Sequence, residues 1–291
     1  MSAADLSPGK GHTDENFPVA SVLIAKRHRP PIMAFYNFAR TADDIADHPT
    51  AAAEEKLKLL DEMDRTLMGE LDVSHDALAL RQVLDKHKMS PQHALMLLEA
   101  FRRDCTKLRT ADWADLIDYC RYSAMPVGRF VLDVHGESRD TWPANDALCA
   151  ALQVINHLQD CAKDFRELNR VYIPLDMLEQ AGLSVDVLKQ PKSPPALREI
   201  LAALARRTRD LLAEAKPFAS QIRDRRLSLE VSVIQTLAED LNRRLLTRDP
   251  LCERVHHNKL EMPGLIFRSL RHFAQSRLRP RKAGSMSANP P

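Results

Sequence analysis

Residues 147–165 read Ala-Leu-Cys-Ala-Ala-Leu-Gln-Val-Ile-Asn-His-Leu-Gln-Asp-Cys-Ala-Lys-Asp-Phe. The first half is apolar nearly all round a helix, which is the pattern of a buried helix. Gln153, Asn156, Asp160 and Asp164 interrupt it every three or four residues, so they share one face. A carboxylate is costly to bury unless it is paired or bound to a metal. Such a helix must line an internal cavity with its polar stripe or turn that stripe to solvent, and its apolar flanks favour the cavity.

Composition sets what can surround this helix. Of 291 residues, 44% are apolar, enough to bury sizeable cores and to exclude disorder for the bulk of the chain. Only 8 are glycine and 5% aromatic, which argues against sandwiches, barrels and βα repeats and predicts an all-α fold. Lys plus Arg is 42 against 40 Asp plus Glu, so a nucleic-acid-binding surface is not expected. No run of about 18 apolar residues would cross a membrane. The start of the chain is polar and acidic, unlike a signal peptide, so a cytoplasmic protein is expected. The five cysteines are odd in number and contain no C-x-x-C, which reads as reduced thiols, mostly core filler.

Prolines punctuate the helices. Pro30-Pro31 should open a helix to 47, with further helices over 51–68, 76–88 and, capped by Ser90 with Pro91 next, to 106. Residues 111–137 read helical with a break near Pro126. Helices follow over 143–168, 196–215, 217–225 and 227–247. No repeat or long polar linker divides the chain, so one domain of nine or ten helices is expected over 16–275, with tails at 1–15 and 276–291.

The helix before Pro49 ends in Arg40-Thr41-Ala42-Asp43-Asp44-Ile45-Ala46-Asp47. Asp43 and Asp47 share a face, where like charges oppose each other and the helix dipole. That suits a hard divalent cation held by oxygen ligands, although a solvated acidic helix end is the alternative. Two such helices facing each other would form an acidic cleft for several Mg²⁺ and a diphosphate. Arg40, Lys163, Arg166 and Arg170 could meet the remaining phosphate charge. Phe35, Tyr36, Phe38, Tyr119 and Phe130 could supply an aromatic wall for a hydrocarbon cation.

Asp43-Asp44-x-x-Asp47, then Asn156-x-x-x-Asp160-x-x-x-Asp164, then Arg170-x-Tyr172-Ile173-Pro174, resemble the squalene/phytoene synthase family over about residues 16–270. The resemblance implies an isoprenoid (terpenoid) synthase fold, a single helical bundle around a central cavity, and Mg²⁺-assisted ionisation of a prenyl diphosphate. Glu15-Asn16-Phe17-Pro18-Val19-Ala20-Ser21 and Ser123-Ala124-Met125-Pro126-Val127-Gly128-Arg129 resemble the branch that forms hydroxysqualene from presqualene diphosphate in bacterial hopanoid synthesis. Met125 and Gln159 depart from the squalene- and phytoene-forming branches. By position, Asp43, Asp47, Asp160 and Asp164 would hold Mg²⁺, with Asp44 and Asn156 as further candidate ligands. Arg40, Gln153, Asn156, Arg170 and Tyr172 would contact diphosphate or order the metals, while Ser21, Tyr36 and Tyr119 would line the substrate site. Asp43, Asp47, Asp160, Asp164 and Tyr119 form the implied catalytic set.

No G-x-G-x-x-G or P-loop occurs, and no NADPH is expected for water capture. His157 reads as a core or supporting histidine, and His256-His257 as a solvated pair. The basic, apolar stretch 265–282 could rest on an anionic membrane at the inner face or pack as a last helix. Pathway enzymes are possible partners. Two other functions stay open: a head-to-head prenyl transferase making presqualene diphosphate, squalene or phytoene, and a non-catalytic scaffold.

Overall fold

A computed structural model describes residues 23–258 and 260–278. Its elements are α1 (Arg29–Asp47), α2 (Ala53–Leu67), α3 (His75–His87), α4 (Gln92–Thr106), α5 (Trp113–Ser123), α6 (Met125–Val134), α7 (Trp142–Leu168), α8 (Leu175–Gln180), α9 (Pro195–Ala215), α10 (Phe218–Gln221), α11 (Arg225–Leu245) and α12 (Met262–Leu278). The fold is all-α: among the described residues the only extended pairing is one bridge between Arg109 and Val171.

Proline placement explains several boundaries. Pro30, Pro126, Pro143 and Pro195 sit in the first turns of α1, α6, α7 and α9, where a missing N–H costs nothing. Pro126 cannot continue α5, so the expected break falls at Ala124. Three expectations shift. Pro91, not Ser90, flanks α4 directly, with the Ser90 hydroxyl accepting from the Gln92 N–H at 3.2 Å. The expected helix over 217–225 shrinks to α10, because Asp224 turns extended and caps α11 through the N–H groups of Arg226 and Leu227. With the short α8 and α10 there are twelve α-helical segments in the described residues rather than nine or ten.

Two apolar clusters hold the bundle. One joins α7 to α9 and α11, the other joins α1 to α2, α3 and α4. α6 links them: Leu132 belongs to the first cluster, while Phe130 stacks on Phe35 at 4.0 Å in the second. α6 also lies tightly against α7 at Gly128. A Cβ there would fall 2.0 Å from Asn145 Oδ1 and 2.7 Å from Cys149 Sγ, so only glycine fits. Between the clusters lies a cavity of about 400 Å³.

All five cysteines are free thiols, with Cys120 and Cys161 in the core and Cys149 on the cavity wall. His256 and His257 are half-buried rather than solvated, with His257 Nε2 3.2 Å from Asp240 Oδ2.

Candidate active site

The last turns of α1 and the second half of α7 face each other, as the two aspartate motifs require. How they meet is decided at the end of α7. Asn169 takes the left-handed conformation (φ 54°) and terminates the helix, and its side chain is held by Arg109 at 2.8 Å. The turn directs the Arg170 N–H back to the Asp164 carbonyl at 3.2 Å. The Arg170 side chain then runs inward. It donates to Asp47 Oδ1 at 2.5 Å, to the Ala46 carbonyl at 2.9 Å and, through Nε, to the Asp104 carbonyl at 3.2 Å. One guanidinium thus ties the exit of α7 to the ends of α1 and α4.

Asp104 gives no signal in the sequence, because its partners lie far along the chain. Its carboxylate accepts from the Tyr119 hydroxyl at 2.7 Å and from the Tyr172 hydroxyl at 3.0 Å. Burial raises its pKa to about 6, with Asp47 adding to the rise while Arg170 and the two hydroxyls oppose it. Burial and Asp104 push both tyrosines well above their ordinary values, so they remain donors. Tyr172 also stacks on His157, centroids 3.6 Å apart, and the Gln153 amide nitrogen lies 3.1 Å from His157 Nε2. Burial and the Arg170 charge lower His157 to about 3, so it is a neutral wall beside the arginine. Supporting histidine is therefore the right description.

The aspartates themselves carry more negative charge than their surroundings balance. Arg40 pairs with Asp43 at 2.9 Å and with buried Asp44. Asp43 is nonetheless raised to about 7, by burial first and then by Asp47, with Arg40 opposing. Asp43 lines the cavity and its side chain is 38% exposed, so desolvation acts on a carboxylate that still touches open space. Asp164 is raised to about 7 by burial, by Asp160 and by Asp47 across the gap. Asp47 is common to the shifts of Asp43, Asp104 and Asp164, which places it at the centre of the cluster. Asn156 and Asp160 are half-buried on the same helix.

This donor set fits Mg²⁺: it offers oxygens only, and burial together with mutual repulsion leaves two carboxyls near neutral pKa until more positive charge arrives. No three of these carboxylates come within 4.8 Å of one another, so they do not close round one bare ion. They suit ions shared with a polyanion. Arg40 Nε is buried and bonds nothing, a donor available once the Asp pairs rearrange. Lys163 and Arg166 are exposed.

Beyond Arg40, Asp43, Asn145 and Glu230 the cavity is lined mainly by apolar and aromatic side chains. Tyr36, Phe35 and Phe130 line it as expected. Phe38 does not, being fully buried in the cluster of α1–α4. Tyr119 serves Asp104 rather than the cavity wall, and Gln159 is buried, donating to the Val255 carbonyl. Ser21 lies outside the described residues. The sequence reading missed Glu230, a 4% exposed carboxylate on the cavity wall, although an acid among Leu227, Ser228, Val231 and Ser232 was a readable signal.

The squalene/phytoene synthase family model matches residues 10–261. The chain belongs to that family. It is 57% identical over 260 residues to the hydroxysqualene synthase of Rhodopseudomonas palustris, covering 89% of each chain. To the hydroxysqualene synthase of Zymomonas mobilis it is 53% identical over 269 residues, covering 92% of this chain and 91% of that one. The crystal structure of squalene synthase HpnC from Alicyclobacillus acidocaldarius superposes with a TM-score of 0.68 at 32% identity, covering 78% of this chain and 86% of that chain. Family and fold together make the chain an isoprenoid-synthase enzyme.

Proposed function

We propose that this protein is a hydroxysqualene synthase: it ionises presqualene diphosphate and traps the rearranged cation with water, giving hydroxysqualene and diphosphate in hopanoid synthesis. The observation that carries the reaction class is the approach of the two aspartate motifs, with Asp47 acting on Asp164 and held by Arg170, beside a largely apolar cavity whose wall includes Arg40 and Asp43. Identity of more than half to two hydroxysqualene synthases supports the product.

In the reaction the carbon–oxygen bond breaks with both electrons leaving on diphosphate. Water adds its oxygen to the rearranged cation and loses a proton. Carbon undergoes no net reduction, so no nicotinamide is required. Asp43, Asp47, Asp160 and Asp164 would hold Mg²⁺, with Asp44 and Asn156 as further ligand candidates. When bound, the metal supplies positive charge to the leaving diphosphate.

The chain's own groups do the rest. Arg170 keeps the motifs in register, and Arg40, turning from Asp43, meets phosphate oxygen. Gln153 and Tyr172 fix neutral His157, and Tyr119 holds Asp104. Phe35, Tyr36 and Phe130 exclude bulk water and offer aromatic faces to the cation. Ser21 is kept as a substrate-side candidate. Residues 16–275 act as one catalytic unit.

No helix among the described residues is long and apolar enough to cross a membrane. α12 exposes Ile266, Phe267 and Leu270 beside Arg268 and Arg271, an apolar strip flanked by cations that suits peripheral contact with an anionic inner membrane face. Salt-sensitive pelleting with anionic vesicles tests this contact, and its absence removes it.

Purified protein with Mg²⁺ is given presqualene diphosphate or farnesyl diphosphate, each with and without NADPH, and products are read by mass spectrometry. Hydroxysqualene from presqualene diphosphate alone, independent of NADPH, is expected. Condensation products from farnesyl diphosphate would place the chain among head-to-head prenyl transferases. No turnover by folded protein would point to a scaffold.

A further inference from the structure

At the other end of α1 from the aspartates, three side chains from separate segments meet. His28 precedes α1, His135 follows α6, and Asp224 precedes α11. One ligand atom of each lies within 4.8 Å of the other two, and all three residues are half-buried. The two imidazole rings are 4.2 Å apart, tilted by 34°. At about 1.5 Å per helical residue, Asp43 lies roughly 20 Å away along α1.

Two of the three ligand-bearing groups, His135 and Asp224, are oriented by further contacts. His135 Nδ1 donates to the Val131 carbonyl at 2.8 Å, which fixes the tautomer and leaves the Nε2 lone pair for a ligand bond. Asp224 Oδ1 accepts from the Arg226 and Leu227 N–H groups at 2.8 and 3.0 Å, which pins the carboxylate and leaves Oδ2 over. The Asp224 N–H donates to Glu137 Oε1 at 2.8 Å, and the Glu137 side chain is only 2% exposed. Nearby cations are Arg223, engaged with Glu137 and the Gly136 carbonyl, and Arg27, whose Nε donates to His28 Nε2 at 2.9 Å. Arg27 is exposed and can swing into solvent.

We propose that His28, His135 and Asp224 bind a divalent transition-metal ion of the zinc class. Two imidazoles and one carboxylate with room for water match Zn²⁺, whereas Mg²⁺ favours an all-oxygen shell. The ion ties together three parts of the cavity wall: Ile24 and Ile32 lie on either side of His28 in the chain, Val131 and Leu132 precede His135, and Leu227 follows Asp224. It thereby clamps the apolar end of the cavity, independently of the reaction carried out at the other end.

Metal-stripped full-length protein, held in saturating Mg²⁺ to occupy the aspartates, is titrated with Zn²⁺ by calorimetry and with Co²⁺ by visible absorption. One Zn²⁺ per chain is expected, with a rise in Tm and a Co²⁺ spectrum distinct from the hydrated ion. His135→Ala and Asp224→Asn should each weaken binding at least tenfold. Asparagine caps a helix as well as aspartate, so the second variant keeps its fold. Asp164→Asn should bind Zn²⁺ as the unaltered protein does. Absence of Zn²⁺ uptake overturns the proposal, as does uptake that survives both His135→Ala and Asp224→Asn, or uptake lost in Asp164→Asn.

Discussion

Replacing Arg170 by methionine removes the tie between α1, α4 and the exit of α7 while keeping a similar stem. The side chain is 7% exposed and serves Asp47 and two backbone carbonyls. Breaking a buried ion pair costs about 3–5 kcal/mol, because the remaining charge stays desolvated. Asp47 is 35% exposed and keeps some solvation, so the lower end applies, about 3 kcal/mol. For a chain of this size that is a Tm decrease of roughly 5 °C.

The loss should depend on pH. Arg170 is the foremost influence holding Asp104 down and also opposes the rise at Asp164. Without it both carboxyls rise further above their unfolded values, and the folded chain binds more protons than the unfolded chain. Stability then grows as pH falls through the raised values and is lost as pH rises. The Tm deficit should be largest above pH about 7 and shrink toward pH about 5. Arg170→Lys should restore the pH profile more than the Tm, because one ammonium cannot reach all three acceptors. Circular-dichroism melts of the three proteins from pH 5 to 8.5 check this. A deficit below about 2 °C, or one constant across pH, would refute the reasoning.

Gly128→Ala forces a Cβ onto Asn145 and should cost about 1–3 kcal/mol by denaturant unfolding, partly recovered with Asn145→Ala. Asp164→Asn removes a like charge facing Asp47 and Asp160, so the metal-free protein should melt higher while kcat falls at least about 100-fold. In EDTA, Asp43 and Asp164 near 7 and Asp104 near 6 should make Tm rise as pH drops from about 8 to about 6. With Mg²⁺ the carboxylates are held ionised and that slope should flatten or reverse, so equal slopes in the two buffers would count against metal binding there.

The legible parts of the molecule were those written locally. Proline placement marked the start of α1 and the break between α5 and α6, and the period of Gln153, Asn156, Asp160 and Asp164 marked a single helix with one polar face, which is half-buried. The two aspartate motifs were legible for the same reason, since each lies within two turns of one helix. What the sequence could not display was contact across helices. Asp104 looks like any acid at a helix end, and its role comes from Tyr119, Tyr172 and Arg170, which only tertiary packing delivers. Phe38 and Phe35 differ by less than one turn, yet one fills the core and the other the cavity wall. Asp224 is a readable cap for α11, but the helix expected over 217–225 runs across it, and its meeting with His28 and His135 is a tertiary contact that no local pattern displays.

The central claim is carbon–oxygen cleavage followed by water capture, and isotope labelling tests it most directly. Turnover of presqualene diphosphate in H₂¹⁸O with Mg²⁺ should give hydroxysqualene carrying one ¹⁸O and diphosphate carrying none. An unlabelled hydroxysqualene oxygen, or label in the released diphosphate, would contradict the account.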